Sequence, residues 1–352
     1  MSISNILEVS TAFGYRSVEL HHGDLSRPDF EVDAIAVSAF QGGYEPVPGT
    51  LIGALMENCE IDVAALAESP RIDYRQQMGA WLSEKLSGHP FKFIACLEMR
   101  GADGSHLPVE EAARNLYGLL MVAQLHDLEV RSVAMPLLGT GNQGIDPAEV
   151  LPGLMDMTRK MLHASPILER VVFMAFDPEA LARIDSAMNS SLMRTDAEVQ
   201  ALPPGGLPEA VRSELLNTLR RLHGSIFEMK DSAELVTHLI DKLDGGGARW
   251  FEIASLGRRL CECLVLDLTE QEQTASLLHS LQGLPDLGFA RWFVNYLHTL
   301  RIFGNVASHI STSSATRPAD VDADDFLSLL FCLNRVAKFW IRHRASSGPG
   351  AS

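Results

Sequence analysis

The stretch that most constrains this chain is Ser132-Val-Ala-Met-Pro-Leu-Leu-Gly139-Thr140-Gly141-Asn142-Gln143-Gly144-Ile-Asp146-Pro147. An apolar run of strand character feeds a loop with three glycines. A helix then opens on proline, with aspartate ahead of it as cap. Glycines let a backbone approach a ligand closely. Loop N–H groups and a helix N-terminus together favour an anion, typically a phosphate. In open α/β sheets ligands sit beyond the carboxyl ends of the strands, which is where this loop would lie. A plain strand–turn–helix connection uses the same residue types, so this stretch alone leaves both readings open.

The surrounding pattern repeats the alternation. Arg16–Leu20, Ala34–Ala39, Phe91–Leu97, Ser132–Leu138 and Val171–Phe176 are short apolar runs rich in branched residues. Helical spacing marks residues 49–56, 74–86, 109–128 and 147–163 between them. Strands separated by helices predict a mainly parallel sheet with helices on both faces. From residue 187 the character changes. Polar and Pro/Gly signals, ending in Leu202-Pro-Pro-Gly-Gly-Leu-Pro, predict a linker over 187–208. Beyond it only helices are expected, at 209–227, 232–243, 249–266, 270–281, 287–309 and 324–344. The reading is therefore an α/β domain at 1–186, an all-α helical domain at 209–345 and a flexible tail at 346–352.

Two further pieces lie near the start. Val18-Glu-Leu-His-His22-Gly23-Asp24-Leu25 is a strand ending in a turn, and Asp33-Ala-Ile-Ala-Val-Ser38-Ala39-Phe40 is another strand. The second continues as Gln41-Gly42-Gly43-Tyr44-Glu-Pro-Val-Pro48-Gly49-Thr50 before a helix. Asp24 can accept hydrogen bonds from the amino group of a base, or simply cap a turn.

The order of these pieces resembles the macro domain, an ADP-ribose-binding α/β module. The resemblance rests on Gly23-Asp24-Leu25, on Asp33-Ala34-Ile35-Ala36-Val37, on Met135-Pro136-Leu137-Leu138-Gly139-Thr140-Gly141, and on the closing strand Val171–Asp177. It spans about residues 15–185, on a mixed sheet with helices on both faces. It implies that Asp24 contacts the adenine amino group, that Leu25 and Phe176 lie near the base, and that Gly139, Thr140, Gly141, Asn142, Gln143 and Gly144 hold the diphosphate and distal ribose. Hydrolytic macro domains carry Asn-Ala-Ala-Asn after the second strand. This chain has Ser38-Ala39-Phe40-Gln41 in the corresponding place, so recognition is expected ahead of hydrolysis. Ser38 and Gln41 can hydrogen-bond a ribose, residues 44–50 suggest a reshaped pocket, and Gly23, Ser38, Phe40, Gly49 and Thr50 are counted with the ligand-binding residues. ADP-ribose hydrolysis is the alternative, and neither a cofactor nor a metal is expected.

In the second half, Arg301, Asn305 and His309 are spaced by four on one helix face. Such a strip suits either a nucleolytic centre, with histidine as base, or a polar seam that fixes packing. Residues 205–345 resemble helical domains of the HEPN type, on Arg249…Glu252…Leu256…Arg258-Arg259, on Leu300-Arg301-x-x-Gly304-Asn305-x-x-x-His309 and on Phe339-Trp340. That resemblance implies a homodimer, and as a further alternative a nucleotide-gated ribonuclease. Nuclease members separate arginine and histidine by four to six residues, whereas seven lie between Arg301 and His309 here.

Charge narrows the partners. Residues 1–200 contain 14 Lys/Arg and 28 Asp/Glu, a balance of 14 − 28 = −14, and residues 201–352 contain 15 and 17, a balance of −2. An acidic first half disfavours nucleic acid there and leaves it open for the second half. No apolar run reaches the roughly 18 residues that span a membrane, and the start lacks a signal-peptide pattern. The five cysteines, Cys59, Cys96, Cys261, Cys263 and Cys332, form no zinc-ribbon spacing and are expected to be reduced, in a cytoplasmic protein. The two resemblances together imply a sensor that binds ADP-ribose or a related nucleotide, with a role in stress or defence signalling.

Overall fold

A computed structural model of the chain describes residues 3–99, 107–140, 145–192, 194, 209–245, 248–271, 276–308 and 323–347. The chain divides into two compact units, Ile3–Ser191 and Leu192–Ser352.

The first unit is built on eight strands: β1 (Ile3–Thr11), β2 (Gly14–His22), β3 (Val32–Ala39), β4 (Ile72–Tyr74), β5 (Ala80–Leu82), β6 (Phe91–Glu98), β7 (Ser132–Pro136) and β8 (Arg170–Ala175). They form one sheet in the order β1-β2-β8-β7-β3-β6-β5-β4. The five central strands β2, β8, β7, β3 and β6 are mutually parallel. Antiparallel pairs close the sheet on both sides, β1 on β2 and β4–β5 on β6. Ala34–Val37, Ile94–Leu97 and Val171–Phe173 are buried without alternation. That is the pattern of strands covered on both faces. One face packs Ile35, Val37, Ala134 and Val172 against Ile52, Leu55 and Val63. These last three belong to α1 (Leu51–Cys59) and α2 (Val63–Glu68). The flanking helices are completed by α4 (Val109–Leu125), α5 (Pro147–Ala164) and α6 (Pro178–Ser191). The mixed α/β class with helices on both faces, followed by an all-α region, is the one observed.

The amino ends of the central strands are pinned by Asp33. Its Oδ2 accepts the Arg131 and Ser132 N–H groups at 2.8 and 3.0 Å and the Ser132 hydroxyl at 3.1 Å. Its Oδ1 accepts Lys92 Nζ at 2.6 Å. The aspartate of the Asp-Ala-Ile motif thus ties β3 to β7 and β6 at the end opposite the glycine loop.

Several sequence expectations need correction. The helix expected over 74–86 is instead β4, a single turn α3 (Arg75–Met78) and β5. Ala80, Trp81 and Leu82 are all buried and pair with Ala95–Leu97 of β6, so an available sheet edge overrides local helical spacing. Strand β1 was not anticipated. The start of the expected linker is helical, since α6 runs through Ser191.

The second unit contains, among the described residues, α7 (Glu209–Ser225), α8 (Lys230–Asp244), α9 (Trp250–Thr269), α10 (Leu277–Gly283), α11 (Arg291–Ser308) and α12 (Ala323–Ser347). The helix expected over 270–281 is shorter, beginning at Leu277, and Glu270 closes α9 in the left-handed conformation (φ 52°). Helix α9 is the core element, with Phe251, Ile253, Leu256, Leu260 and Leu264 fully buried. Helix α12 docks through Trp340, whose indole N–H donates to Asp267 at 2.6 Å. No helix among the described residues is long and apolar enough to cross a membrane.

Candidate functional site

Because the five central strands run parallel, their carboxyl ends lie side by side at one edge of the sheet. The order along that edge is His22, Ala175, Pro136, Ala39 and Glu98. Backbone bonds lock neighbours together there. The Gly23 N–H donates to the Ala175 carbonyl at 2.9 Å, and the Met99 N–H to the Ala39 carbonyl at 2.9 Å. The loops that leave this edge carry the ligand-site residues expected from the sequence.

At the β2/β8 end stand Asp24 and Phe176. Asp24 Oδ1 accepts the Ser26 N–H and hydroxyl, both at 2.8 Å, and Oδ2 accepts Asn58 Nδ2 at 3.3 Å. The carboxylate therefore closes its own turn and ties it to the end of α1. Three of its roughly four lone-pair directions are used, leaving one acceptor position. Leu25 is buried and belongs to the core. Phe176 directly follows β8 with 76% of its surface exposed. The backbone bond from Gly23 to Ala175 sets it beside the Asp24 turn.

At the middle of the edge, β7 leads into the glycine loop. Gly139 takes a positive φ of 82°. The Thr140 hydroxyl donates to the Leu137 carbonyl at 2.8 Å, and the Ile145 N–H returns to the Gly139 carbonyl at 3.1 Å. Asp146 then caps α5 by accepting the Ala148 N–H at 2.8 Å, with Pro147 as the first helical residue. Gly141, Asn142, Gln143 and Gly144 lie outside the described residues.

At the β3/β6 end Ser38 is exposed and Phe40 is 51% exposed. Gly49 is exposed as well. Thr50 is the N-cap of α1: its hydroxyl accepts the Gly53 N–H at 3.1 Å and donates to the Val47 carbonyl at 2.7 Å. This hydroxyl is engaged by its own loop.

The same end holds a cluster that the sequence reading missed. Glu98, buried at the tip of β6, accepts the Tyr44 hydroxyl at 2.5 Å and the Gly42 N–H at 3.1 Å, both on Oε1. Tyr44 packs edge-on against Trp81, with ring centroids 5.6 Å apart. Burial, then the bond to Glu98, pushes the Tyr44 hydroxyl up to about 12. Nearby Arg75 is held by Asp73 through two bonds of 2.9 and 2.5 Å. The available signal was Glu98 itself, a charge closing the apolar run Phe91–Leu97.

In the helical unit, Arg301 and Asn305 lie one turn apart on α11, both partly buried. Arg301 Nε and Asn305 Oδ1 are buried with no hydrogen-bond partner among the described residues. His309 lies outside the described residues. Burial, with Arg301 adding to it, lowers the pKa of His298 below the ordinary histidine value. Gly304 faces the fully buried Arg258 of α9. Among the described residues no group of three or more His, Cys, Asp or Glu could hold a metal ion.

No protein-family model matches the chain, and no curated protein matches it. Solved structures of macrodomains are similar to it over about half its length. A Trypanosoma brucei macrodomain in complex with ADP shares 18% identity, covering 49% of this chain and 68% of that one, with a TM-score of 0.37. An Oceanobacillus iheyensis macrodomain with ADP shares 15% identity, covering 55% of this chain and 100% of that one, with a TM-score of 0.40. The Trypanosoma brucei macrodomain in complex with ADP-ribose shares 19% identity, covering 52% and 74%, with a TM-score of 0.37.

Proposed function

We propose that the first unit binds ADP-ribose or a related NAD-derived nucleotide across the carboxyl edge of its sheet. The observation that carries this reading is the linear order of three elements along that edge. The Asp24 carboxylate and the exposed Phe176 ring come first, the glycine turn after β7 follows, and the exposed Ser38–Phe40 end closes the row. A carboxylate that only accepts, beside an exposed aromatic, suits a base with an exocyclic amino group. A turn rich in glycine ahead of the capped N-terminus of α5 suits a diphosphate held by backbone N–H groups. Several of the solved macrodomains hold ADP or ADP-ribose, but the reading for this chain rests on its own residues. In the proposed role the protein is a cytoplasmic sensor. Its helical unit self-associates, and ligand occupancy is relayed to a partner in stress or defence signalling.

Titration calorimetry with ADP-ribose tests the binding reading. Binding in the micromolar range is expected, weakened by Asp24→Ala by about 1–3 kcal/mol through the lost acceptor. Because Asp24 also closes a turn, the exposed Phe176→Ala serves as the fold-neutral companion, with an expected loss of about 1–3 kcal/mol from one base–aromatic stack. Absence of binding at millimolar ADP-ribose, or affinity untouched by both substitutions, removes the proposal. Sedimentation of the same samples with and without ligand reads the coupling to self-association, which a ligand-independent monomer would exclude.

A further inference from the structure

The β3/β6 end of the carboxyl edge is built differently from the β2/β8 end, and its construction points to the ligand. Phe40 follows β3, and the chain turns at once. The Gly43 N–H returns to the Phe40 carbonyl at 2.9 Å, and Gly42 at the third position has φ 68°. That geometry calls for glycine. The turn is nailed to the sheet, because Glu98 Oε1 takes both the Gly42 N–H and the Tyr44 hydroxyl, and Tyr44 is itself wedged against Trp81. A half-exposed phenyl ring at the root of an anchored turn is pre-organised. Along the edge, Phe176 follows β8 and Phe40 follows β3, with β7 and its glycine turn between them. Two inter-strand spacings separate them, about 10 Å. The edge therefore carries an exposed phenylalanine on each side of the turn that follows β7. Buried Glu98, which fastens this turn, puts an acidic side chain at the far end of the row and disfavours a further phosphate there.

We infer that this edge takes a dinucleotide, a molecule with a planar ring at both ends of its diphosphate, and that Phe40 stacks on the second ring. The inference rests on the nucleotide reading proposed above. The second ring comes from one of two sources with shared chemistry, a nicotinamide or a second nucleobase.

The test is calorimetry on the full chain with three probes: ADP-ribose, which lacks the second ring, NAD+ and diadenosine diphosphate. At least one dinucleotide is expected to bind about tenfold tighter than ADP-ribose, within what one base–aromatic stack contributes. Phe40→Ala should erase that margin, weakening the preferred dinucleotide about tenfold more than it weakens ADP-ribose, and Phe176→Ala should weaken all three probes alike. Whichever dinucleotide is preferred identifies the ring. Both dinucleotides binding no tighter than ADP-ribose would overturn the inference and leave the nucleotide reading standing. Equal weakening of all three probes by Phe40→Ala would do the same. Failure of all three probes to bind would remove both. Phe40 is exposed, and an unchanged thermal midpoint of Phe40→Ala confirms that the comparison is between folded proteins.

Discussion

At Gly304 a Cβ would stand 2.3 Å from the Cβ of Arg258 and 2.6 Å from its Cδ. Arg258 is fully buried, so its stem has no room to retreat. Alanine is otherwise the better helix residue by up to about 1 kcal/mol, so the two effects oppose each other and the sign is informative. Gly304→Ala should destabilise the protein by about 1–3 kcal/mol or more, the range for forced overpacking. Gly224→Ala, at a helical glycine with nothing within 4 Å of the added carbon, should leave stability unchanged or raise it. Urea denaturation of the two variants checks the pair, and a stabilised Gly304→Ala would mean that α9 and α11 do not cross there. From sequence, Gly304 was legible only as part of the Arg301…His309 strip. Its partner is 46 positions away, and no local pattern pairs a helical glycine with a distant arginine. Asp24 shows the converse. Its position in Gly23-Asp24-Leu25 marked it at once, yet its bonds to Ser26 and Asn58 show a turn-closing role alongside any ligand contact.

At the scale of elements, the parallel core was legible because β3, β6, β7 and β8 are continuous apolar runs, and residues 74–86 were not. Their helical spacing is real, but the edge of β6 offers Trp81 and its neighbours backbone pairing that a helix there would forgo. That misreading hid the Tyr44–Trp81 contact and with it the anchoring of the turn after β3. The anchoring has a pH signature. The Tyr44 hydroxyl is raised from 10.0 to about 12 in the folded chain. The folded state then holds a proton that the unfolded state releases between those values, so stability falls as pH rises through that window. The contribution of this group is complete below pH 10 and gone above about 12. Tyr44→Phe should therefore lower the thermal midpoint near neutral pH by the loss of one hydrogen bond to a buried carboxylate, about 1.5–3 kcal/mol. The gap between Tyr44→Phe and the parent should narrow as pH climbs from 10 to 12. A gap that stays constant over that range would show that the hydroxyl does not hold Glu98.

For the whole molecule, charge distribution and the candidate site pull against each other. Residues 1–200 carry twice as many acidic as basic side chains, 28 against 14, and this is the half with the glycine loop. Among the described residues, two cations near the site are engaged: Arg75 is held by Asp73, and Arg27 by the Asn58 carbonyl. A diphosphate would thus be bound by short-range backbone dipoles after crossing a repulsive long-range field. Raising salt from 50 to 500 mM shortens the Debye length from roughly 14 Å to roughly 4 Å. That screens the repulsion and leaves contacts at hydrogen-bond distance nearly untouched. The association rate for ADP-ribose, followed by stopped-flow fluorescence, should therefore increase with salt, and its affinity should hold or tighten slightly. A site that gripped the phosphates with lysine or arginine would show the opposite slope, with affinity falling as salt rises. That result would place the ligand away from the carboxyl edge of this sheet.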